Sequence, residues 1–415
     1  VPRVIDLAAL DFHSFVKPGD LVAWGQAAAE PLPLTQRLMA QRTAIGSFRA
    51  FIGISLSDTT DPAFADSVQF QSFCGTGTNR KLAAANALDI FPVHYSRLAE
   101  HLQTRVDVLL LQVAEHPSGG RYSLSAACDY IAPLAASARL VVAEVNAQAP
   151  FTDAEIAPGE LDIIVKTDRP LLEMLHSEPT DIDRRIAAHV AGLIEDGATL
   201  QFGLGAIPEC VALVVSDHRD LGLHTGVMSD GAMHLMERGI ITNARKPIDT
   251  GASVTGTLLG TRRLADFAHL NPAIVMRPVA YTHALDVLAK LPRFTAINSA
   301  VEVDLTGQAN SESAGGRYVG SIGGAVDFAR GAHVSQGGIP IVALPSIARA
   351  GGQAKSRIVA QLSGPATLGR ADAGVIVTEH GVADLRGLSL SERAQRLIAI
   401  ADPAFREALE RTLRI

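Results

Sequence analysis

Short, nearly unbroken apolar runs recur along this chain, each closed by glycine, proline or charged residues. Residues 106–113, ARLVVAEV at 138–145, residues 163–165, 199–202 and 273–276, IPIVAL at 339–344 and residues 374–378 are of this kind. Runs of that length with no polar alternation predict strands covered on both faces, as in parallel sheets. Between them lie stretches with helical spacing. IDRRIAAHVAGLI at 182–194 is amphipathic, and Asp181 is the expected N-cap. The C-terminal SERAQRLIAIADPAFREALERTL reads as helix broken at Pro403. Strands alternating with helices predict an α/β chain. Pro179 disfavours helix before it, so a junction is expected at HSEPTD, 176–181. That gives two domains, 1–178 and 179–415.

The two halves echo each other. PGDLVAWGQAAAEP at 18–31 and DGATLQFGLGAIP at 196–208 align Gly19 with Gly197, and Gly25 with Gly203, both six residues on. Each reads as turn, short strand, small-residue turn and helix. GGRYSLSAACDY at 119–130 then matches GGRYVGSIGGAVDF at 315–328, with two more residues in the later copy. The echoes come in one order, so the expected architecture is two related open α/β domains, each with a mostly parallel sheet flanked by helices. The turns that follow Gly25 and Gly203 are expected to face each other across a cleft.

The stretch 197–231 carries the strongest chemical signal. A strand at 199–202 enters a turn with Gly203 and Gly205, and a helix opens near Pro208. Glycines admit close ligand approach, and a helix start offers free N–H groups to negative charge. A second strand ends in the turn at 224–230. Ligands of open α/β sheets bind at such strand ends. GSIGG at 320–324 is a second glycine cluster.

Composition narrows the classes. Of 415 residues, 47% are hydrophobic and 19% charged, and the net charge of −7 is spread without blocks. No clustered basic face points to nucleic acid, and no apolar run reaches the roughly 18 residues that span a membrane. The start VPRVIDLAAL does not read as a signal peptide. Cys74, Cys128 and Cys210 are widely spaced, with no metal-ligand pattern. A reducing cytoplasm is the expected compartment, and a symmetric homodimer or higher homo-oligomer the expected assembly.

The motifs GLGAIP (203–208), HTGVMSDG (224–231), GIITNARK (239–246), INSAVEVDLTGQ (297–308), GSIGGAVDFARGA (320–332), ALPS (343–346), SRIV (356–359) and VTEHGVADLRG (377–387) follow one another in order. With AEVN at 143–146 and the first echo, they resemble the acetyl-CoA hydrolase/transferase group of family I CoA-transferases, which includes 4-hydroxybutyrate and butyryl CoA-transferases. The resemblance covers nearly the whole chain. It implies transfer of CoA between an acyl-CoA and a small carboxylate, with CoA as substrate and no covalently bound cofactor. It implies that Gly203, Leu204, Gly205, Ala206, Ile207, Gly323 and Gly324 line the CoA and oxyanion region, and Lys355 and Arg357 are candidates for the CoA phosphates. In the family a glutamate stands two residues after the His of HTGVMSDG and forms a glutamyl-CoA thioester. Here that position is Gly226. Candidate substitutes are Glu302, which shares a strand face with Asp304, and Glu30, beside the first glycine turn. Asp230 reads as a turn residue, His224 and His380 as possible polarising groups, and Cys210 as a thiol at a helix start. An acyl-CoA thioesterase and a non-catalytic CoA-binding homologue are the competing readings. Two substitutions are expected to be informative: Gly226→Glu restoring ping-pong transfer, and Gly324→Val blocking the pantetheine path.

Overall fold

The computed structural model describes residues 2–174, 178–350 and 352–413. In the first half the apolar runs pair into one sheet of parallel strands: β1 (Arg3–Val4), β2 (Leu21–Trp24), β3 (Phe48–Ile52), β4 (Val68–Ser72), β5 (Leu88–Ile90), β6 (Val108–Glu115), β7 (Leu140–Asn146) and β8 (Ile163–Thr167). Their spatial order is β1-β8-β7-β6-β2-β3-β4-β5. The central β6 and β7 are buried along almost their whole length, because both faces of the sheet are covered. Two short strands, Tyr122–Ser123 and Glu155–Ile156, extend antiparallel from the end of β6.

The second half holds its own sheet: β9 (Thr199–Phe202), β10 (Gly222–Leu223), β11 (Phe294–Asn298), β12 (Ile339–Ala343), β13 (Val375–Thr378) and β14 (Gly381–Asp384). The order is β10-β9-β11-β12-β13-β14, parallel except for the last pair. The helices used below are α1 (Leu32–Ile45), α2 (Tyr95–Gln103), α3 (Asp181–Ala191), α4 (Ala206–Val214), α5 (Asp230–Glu237), α6 (Val279–Thr282), α7 (Ala325–Val334), α8 (Leu390–Ala399) and α9 (Pro403–Thr412). Pro403 does interrupt the C-terminal helix, as the first residue of α9 with Asp402 as its cap.

The cap of α3 differs from expectation. Thr180, not Asp181, is the N-cap. Its hydroxyl accepts from the Asp183 N–H at 3.2 Å, and the Asp183 carboxylate accepts from the Thr180 N–H at 2.9 Å. The Thr-x-x-Asp spacing satisfies two orphan donors at once, which a single Asp181 cap does not. Of the expected junction, His176 and Ser177 lie outside the described residues.

The first echo is visible in the backbone. Gly19 and Gly197 both have positive φ, 87° and 78°. Each is followed two residues later by a four-residue strand, β2 or β9. These strands hold equivalent places. In the first sheet the order runs outward from β2 in one direction and from β6 in the other; in the second it reverses between β9 and β11. Each echo glycine, Gly25 or Gly203, therefore lies just past a strand at a topological switch point, where a crevice opens at the strand C-termini. In the second echo, Gly119, Gly120, Gly315 and Gly316 all have positive φ and precede short strands that contain the two tyrosines.

One apolar cluster runs continuously through both sheets, from Leu21, Phe51 and Leu111 to Leu200, Ile297 and Val377. The halves are thus joined by core packing rather than by a linker alone. Among the described residues no helix is long and apolar enough to cross a membrane.

Candidate active site

The two switch points open onto a single cavity of about 490 Å³. From the first half come Gln26 after β2, Ile54 after β3, Phe73 and Cys74 after β4, and Tyr95 at the start of α2. From the second come Gln201 to Gly205 at the end of β9, Gly226, Asn298 to Val301 at the end of β11, and the glycine segment 320–324. Arg80 is the one charged side chain among the described lining residues, and none of them is a carboxylate.

The turn after β9 is shaped by its neighbours. Asn298 Nδ2 donates to Gln201 Oε1 at 3.0 Å, which ties the ends of β9 and β11 together, and the Gly203 N–H donates to the Ile297 carbonyl at 2.8 Å. A Cβ on Gly203 would lie 3.0 Å from Asn298 Oδ1 and 3.1 Å from that carbonyl. Gly205 has φ 126°, a conformation that only glycine adopts readily, and it is the N-cap of α4 with no side-chain cap. The first N–H groups of α4 are thus uncapped by side chains beside the cavity.

The glycine segment 320–324 bridges the halves. The Gly75 N–H donates to the Gly320 carbonyl at 2.8 Å, and the Tyr95 N–H donates to the Gly323 carbonyl at 3.0 Å. Cys74 pairs with Ser321 in an isolated antiparallel bridge. The two echo aspartates meet on the same helix start. Asp129 accepts from Tyr95 Oη (3.0 Å), Gln26 Nε2 (2.5 Å) and Thr257 Oγ1 (2.6 Å), while Asp327 accepts from the Ser96 hydroxyl at 2.8 Å. Burial raises the pKa of both carboxyls, and these donors oppose the shift.

At Gly226 the space next to the backbone is taken by His283, the residue after α6. A Cβ built on Gly226 would lie 2.9 Å from His283 Cε1 and 3.2 Å from Nε2, and one on Gly324 would strike the same ring. The ring packs at a tilt against Phe328, with centroids 4.3 Å apart, and against Tyr95 at 5.2 Å. Its Nδ1 is 2.8 Å from Thr282 Oγ1. Burial pushes its pKa down to about 3, so the ring is neutral at pH 7.

The other sequence candidates are placed as follows. Gly203, Leu204, Gly205, Gly226, Gly323 and Gly324 line the cavity; Ala206 and Ile207, in the first turn of α4, stand behind them. Glu30 is 1% exposed and is not on the cavity wall. Its carboxylate accepts from the hydroxyls of Thr35, Ser55, Ser57 and Thr59, so it is consumed in holding the turn that enters α1. Glu302 does lie on a strand with Asp304, but it accepts from the Ser363 N–H at 2.7 Å and from Asn310 Nδ2 at 3.0 Å. Asp304 collects Thr306 and Gln308 in a turn. Asp230 accepts from the Thr261 N–H and hydroxyl. Neither Glu30 nor Glu302 is brought to the cavity as a free carboxylate. His224 is fully buried, with Nε2 3.0 Å from the Thr282 carbonyl, and burial beside Lys246 lowers its pKa to about 4. His380 sits 3.8 Å from Glu379 and Asp402, away from the cavity wall. Lys355 lies exposed on the hairpin Ile347–Ala350/Gln353–Ser356, whereas Arg357 donates to the carbonyls of Ala300 and Val301. Cys210 is buried and its thiol pKa is raised by that burial, the opposite of an activated thiol. Residues that sequence reasoning passed over are His283, Gln26, Tyr95 and Arg80. None stands in a spacing that signals chemistry, and only the fold brings them together.

Residues 7–174 match the acetyl-CoA hydrolase/transferase N-terminal domain, and residues 260–413 match the C-terminal domain of the same name. The chain is 36% identical over 395 residues to the 4-hydroxybutyrate coenzyme A transferase of Clostridium kluyveri, covering 94% of this chain and 92% of the relative. It is 33% identical over 411 residues to the butyryl-CoA:acetate CoA-transferase of Anaerostipes caccae, covering 95% and 92%. The crystal structure of RipA from Yersinia pestis superposes with a TM-score of 0.93 at 32% identity, over 99% of this chain and 97% of that one.

Proposed function

Because this chain belongs to the acetyl-CoA hydrolase/transferase family, we propose that it moves CoA between an acyl-CoA and a small carboxylate. The division into domains 1–178 and 179–415 is part of this reading, with the cleft between their sheets as the active site. The observation that carries it is the glycine-walled cavity across two switch points. Gly323 and Gly324 give the pantetheine arm a flat backbone to lie on. The uncapped N–H groups at 204–207 oppose the charge of the tetrahedral oxyanion. Arg80 and the exposed Lys355 supply positive charge for the phosphates.

The chemistry departs from the route that the family resemblance implies. Position 226 has no carboxylate, and no described residue of the cavity wall supplies one. The bound acceptor carboxylate therefore attacks the thioester carbonyl itself. Its oxygen forms the new C–O bond, the C–S bond of the tetrahedral intermediate breaks, and CoA leaves as thiolate, which leaves a mixed anhydride of the two acids. The thiolate then attacks the acceptor's carbonyl carbon and releases the donor acid. Steady-state kinetics test this directly. The expected pattern is sequential, with no CoA-sized mass added to the protein by acyl-CoA alone. Ping-pong kinetics with a stable CoA adduct would overturn it and, by peptide mapping, name the enzyme nucleophile. CoA binding with no turnover on a wide acyl-CoA and carboxylate panel would leave a binding homologue instead.

Hydrolysis is the second reading, and the neutral imidazole of His283 on the cavity wall favours it. A homodimer in a reducing cytoplasm fits both; the cysteines are free and buried.

A further inference from the structure

We propose that His283 is the proton acceptor for water in an acyl-CoA hydrolysis carried out in this cleft. The inference rests on the reading that the cavity binds acyl-CoA. Three geometric facts lead to it. First, the ring fills the space beside Gly226, where a side chain at that position would stand, so the imidazole replaces whatever that position would present to the thioester. Second, one edge of the ring is fixed and the other is free. Thr282 Oγ1 lies 3.4 Å from the Pro278 carbonyl and 2.8 Å from His283 Nδ1. Both contacts are satisfied when the hydroxyl donates to the carbonyl and accepts from Nδ1–H, the tautomer that leaves the Nε2 lone pair open. Nε2 has no hydrogen-bond partner among the described residues, and the residue lines the cavity. Third, the ring packs against both Phe328 and Tyr95 and is tied at Nδ1 to Thr282, so its direction is set before substrate arrives.

A histidine serving only as packing would be expected to have both nitrogens paired or enclosed in apolar side chains. This one has an unpaired Nε2 beside Gly226 and Gly324, on the wall of a ligand-sized space. The nearby titratable groups are His224, Tyr95 with Asp129 behind it, and Tyr281, whose hydroxyl donates to Asp249. None of them donates to or accepts from Nε2.

The step balances without a further reagent. A water molecule attacks the thioester carbonyl and gives its proton to Nε2 while the N–H groups of Leu204 and Gly205 hold the oxyanion. The tetrahedral intermediate collapses, the C–S bond breaks, and the imidazolium returns the proton to the CoA thiolate. The products are the carboxylic acid and CoA. Burial keeps the ring in the neutral, accepting form at neutral pH, and its conjugate acid, once formed, gives the proton up readily to the leaving sulfur.

The test uses the full chain and three proteins: wild type, His283→Asn and Thr282→Val. Calorimetry measures CoA affinity, and thiol release from acetyl-, propionyl-, butyryl- and 4-hydroxybutyryl-CoA measures hydrolysis. Wild type is expected to hydrolyse at least one thioester at a rate flat from about pH 6 to 8. His283→Asn keeps CoA affinity within a few-fold and loses about 100-fold or more in kcat, the usual scale for removing a general base. Thr282→Val leaves the ring in place but frees its tautomer, so kcat falls while KM is little changed. Hydrolysis by His283→Asn at the wild-type rate overturns the proposal. So does a wild type that binds CoA but hydrolyses none of the panel. If His283→Asn does not fold, an unchanged kcat in Thr282→Val overturns it. A wild type that binds no CoA sinks the functional reading itself, which keeps the two failures apart.

Discussion

Installing a glutamate at position 226 is the most demanding test of how this site is built. From sequence alone, Gly226→Glu is expected to restore ping-pong transfer by itself. The structure predicts otherwise. The new Cβ would stand 2.9 Å from His283 Cε1, closer than side-chain carbons are found, before the rest of the glutamate is placed. The ring cannot yield easily, because Phe328 and Tyr95 pack against it and Thr282 holds its edge. Overpacking of this kind costs about 1–3 kcal/mol. Gly226→Glu is therefore expected to be destabilised by that amount and to carry no CoA adduct. His283→Ala opens the space, and the double variant Gly226→Glu/His283→Ala should be more stable than the sum of the single changes by about 1 kcal/mol or more, within the range found for touching residues. Urea unfolding of the four proteins gives the cycle. Intact mass after acyl-CoA exposure shows which carry a glutamyl-CoA thioester, and only the double variant should. Additive stabilities, or an adduct on Gly226→Glu alone, would refute the claim that these two positions exclude each other.

Gly324→Val is expected to act through the same ring. Its Cβ would meet His283 Nε2, so the change lowers stability as well as CoA affinity, and Gly324→Ala should already show both by thermal unfolding and calorimetry; an Ala variant as stable as wild type would remove the contact from the argument. His283 and His224 are held neutral, with pKa values lowered to about 3 and about 4 from the ordinary 6.5. Between those values and 6.5 the unfolded chain binds more protons, so their contribution is fully present above pH 6.5 and lost as pH falls. A urea midpoint that does not drop from pH 7 to 5 more steeply in wild type than in His224→Asn would contradict this. Glu30→Gln should cost about 1–3 kcal/mol through its broken hydroxyl cage and leave kcat near wild type; a folded Glu30→Gln with kcat reduced 100-fold would return Glu30 to the chemistry.

The sheets were readable because a parallel strand buried on both faces leaves a plain apolar run. The runs at 199–202 and 339–344 became β9 and β12 almost residue for residue. The glycine turns were readable for a similar reason: positive φ at Gly19, Gly197 and Gly205 leaves glycine as the residue of choice. Candidate carboxylates were not. Glu30 and Glu302 have the right chemical type and neighbourhood in sequence, yet each is consumed by hydrogen bonds from segments 5 to 61 residues away. His283 was missed for the converse reason. Its position depends on how close α6 comes to Gly226 and α7, and that distance is a property of tertiary packing with no local sequence signature.

The floor of the cleft has a consequence for how ligands enter. Two backbone links, the Gly75–Gly320 hydrogen bond of the Cys74–Ser321 bridge and Tyr95–Gly323, cross from one half to the other, as do the side-chain contacts of Asp129 with Thr257 and of Asp327 with Ser96. A hinge that swung the halves apart would have to break all of these together with the shared core. Admission of a ligand is thus left to movements at the rim, and the cleft floor works as a fixed die against which a thioester is shaped.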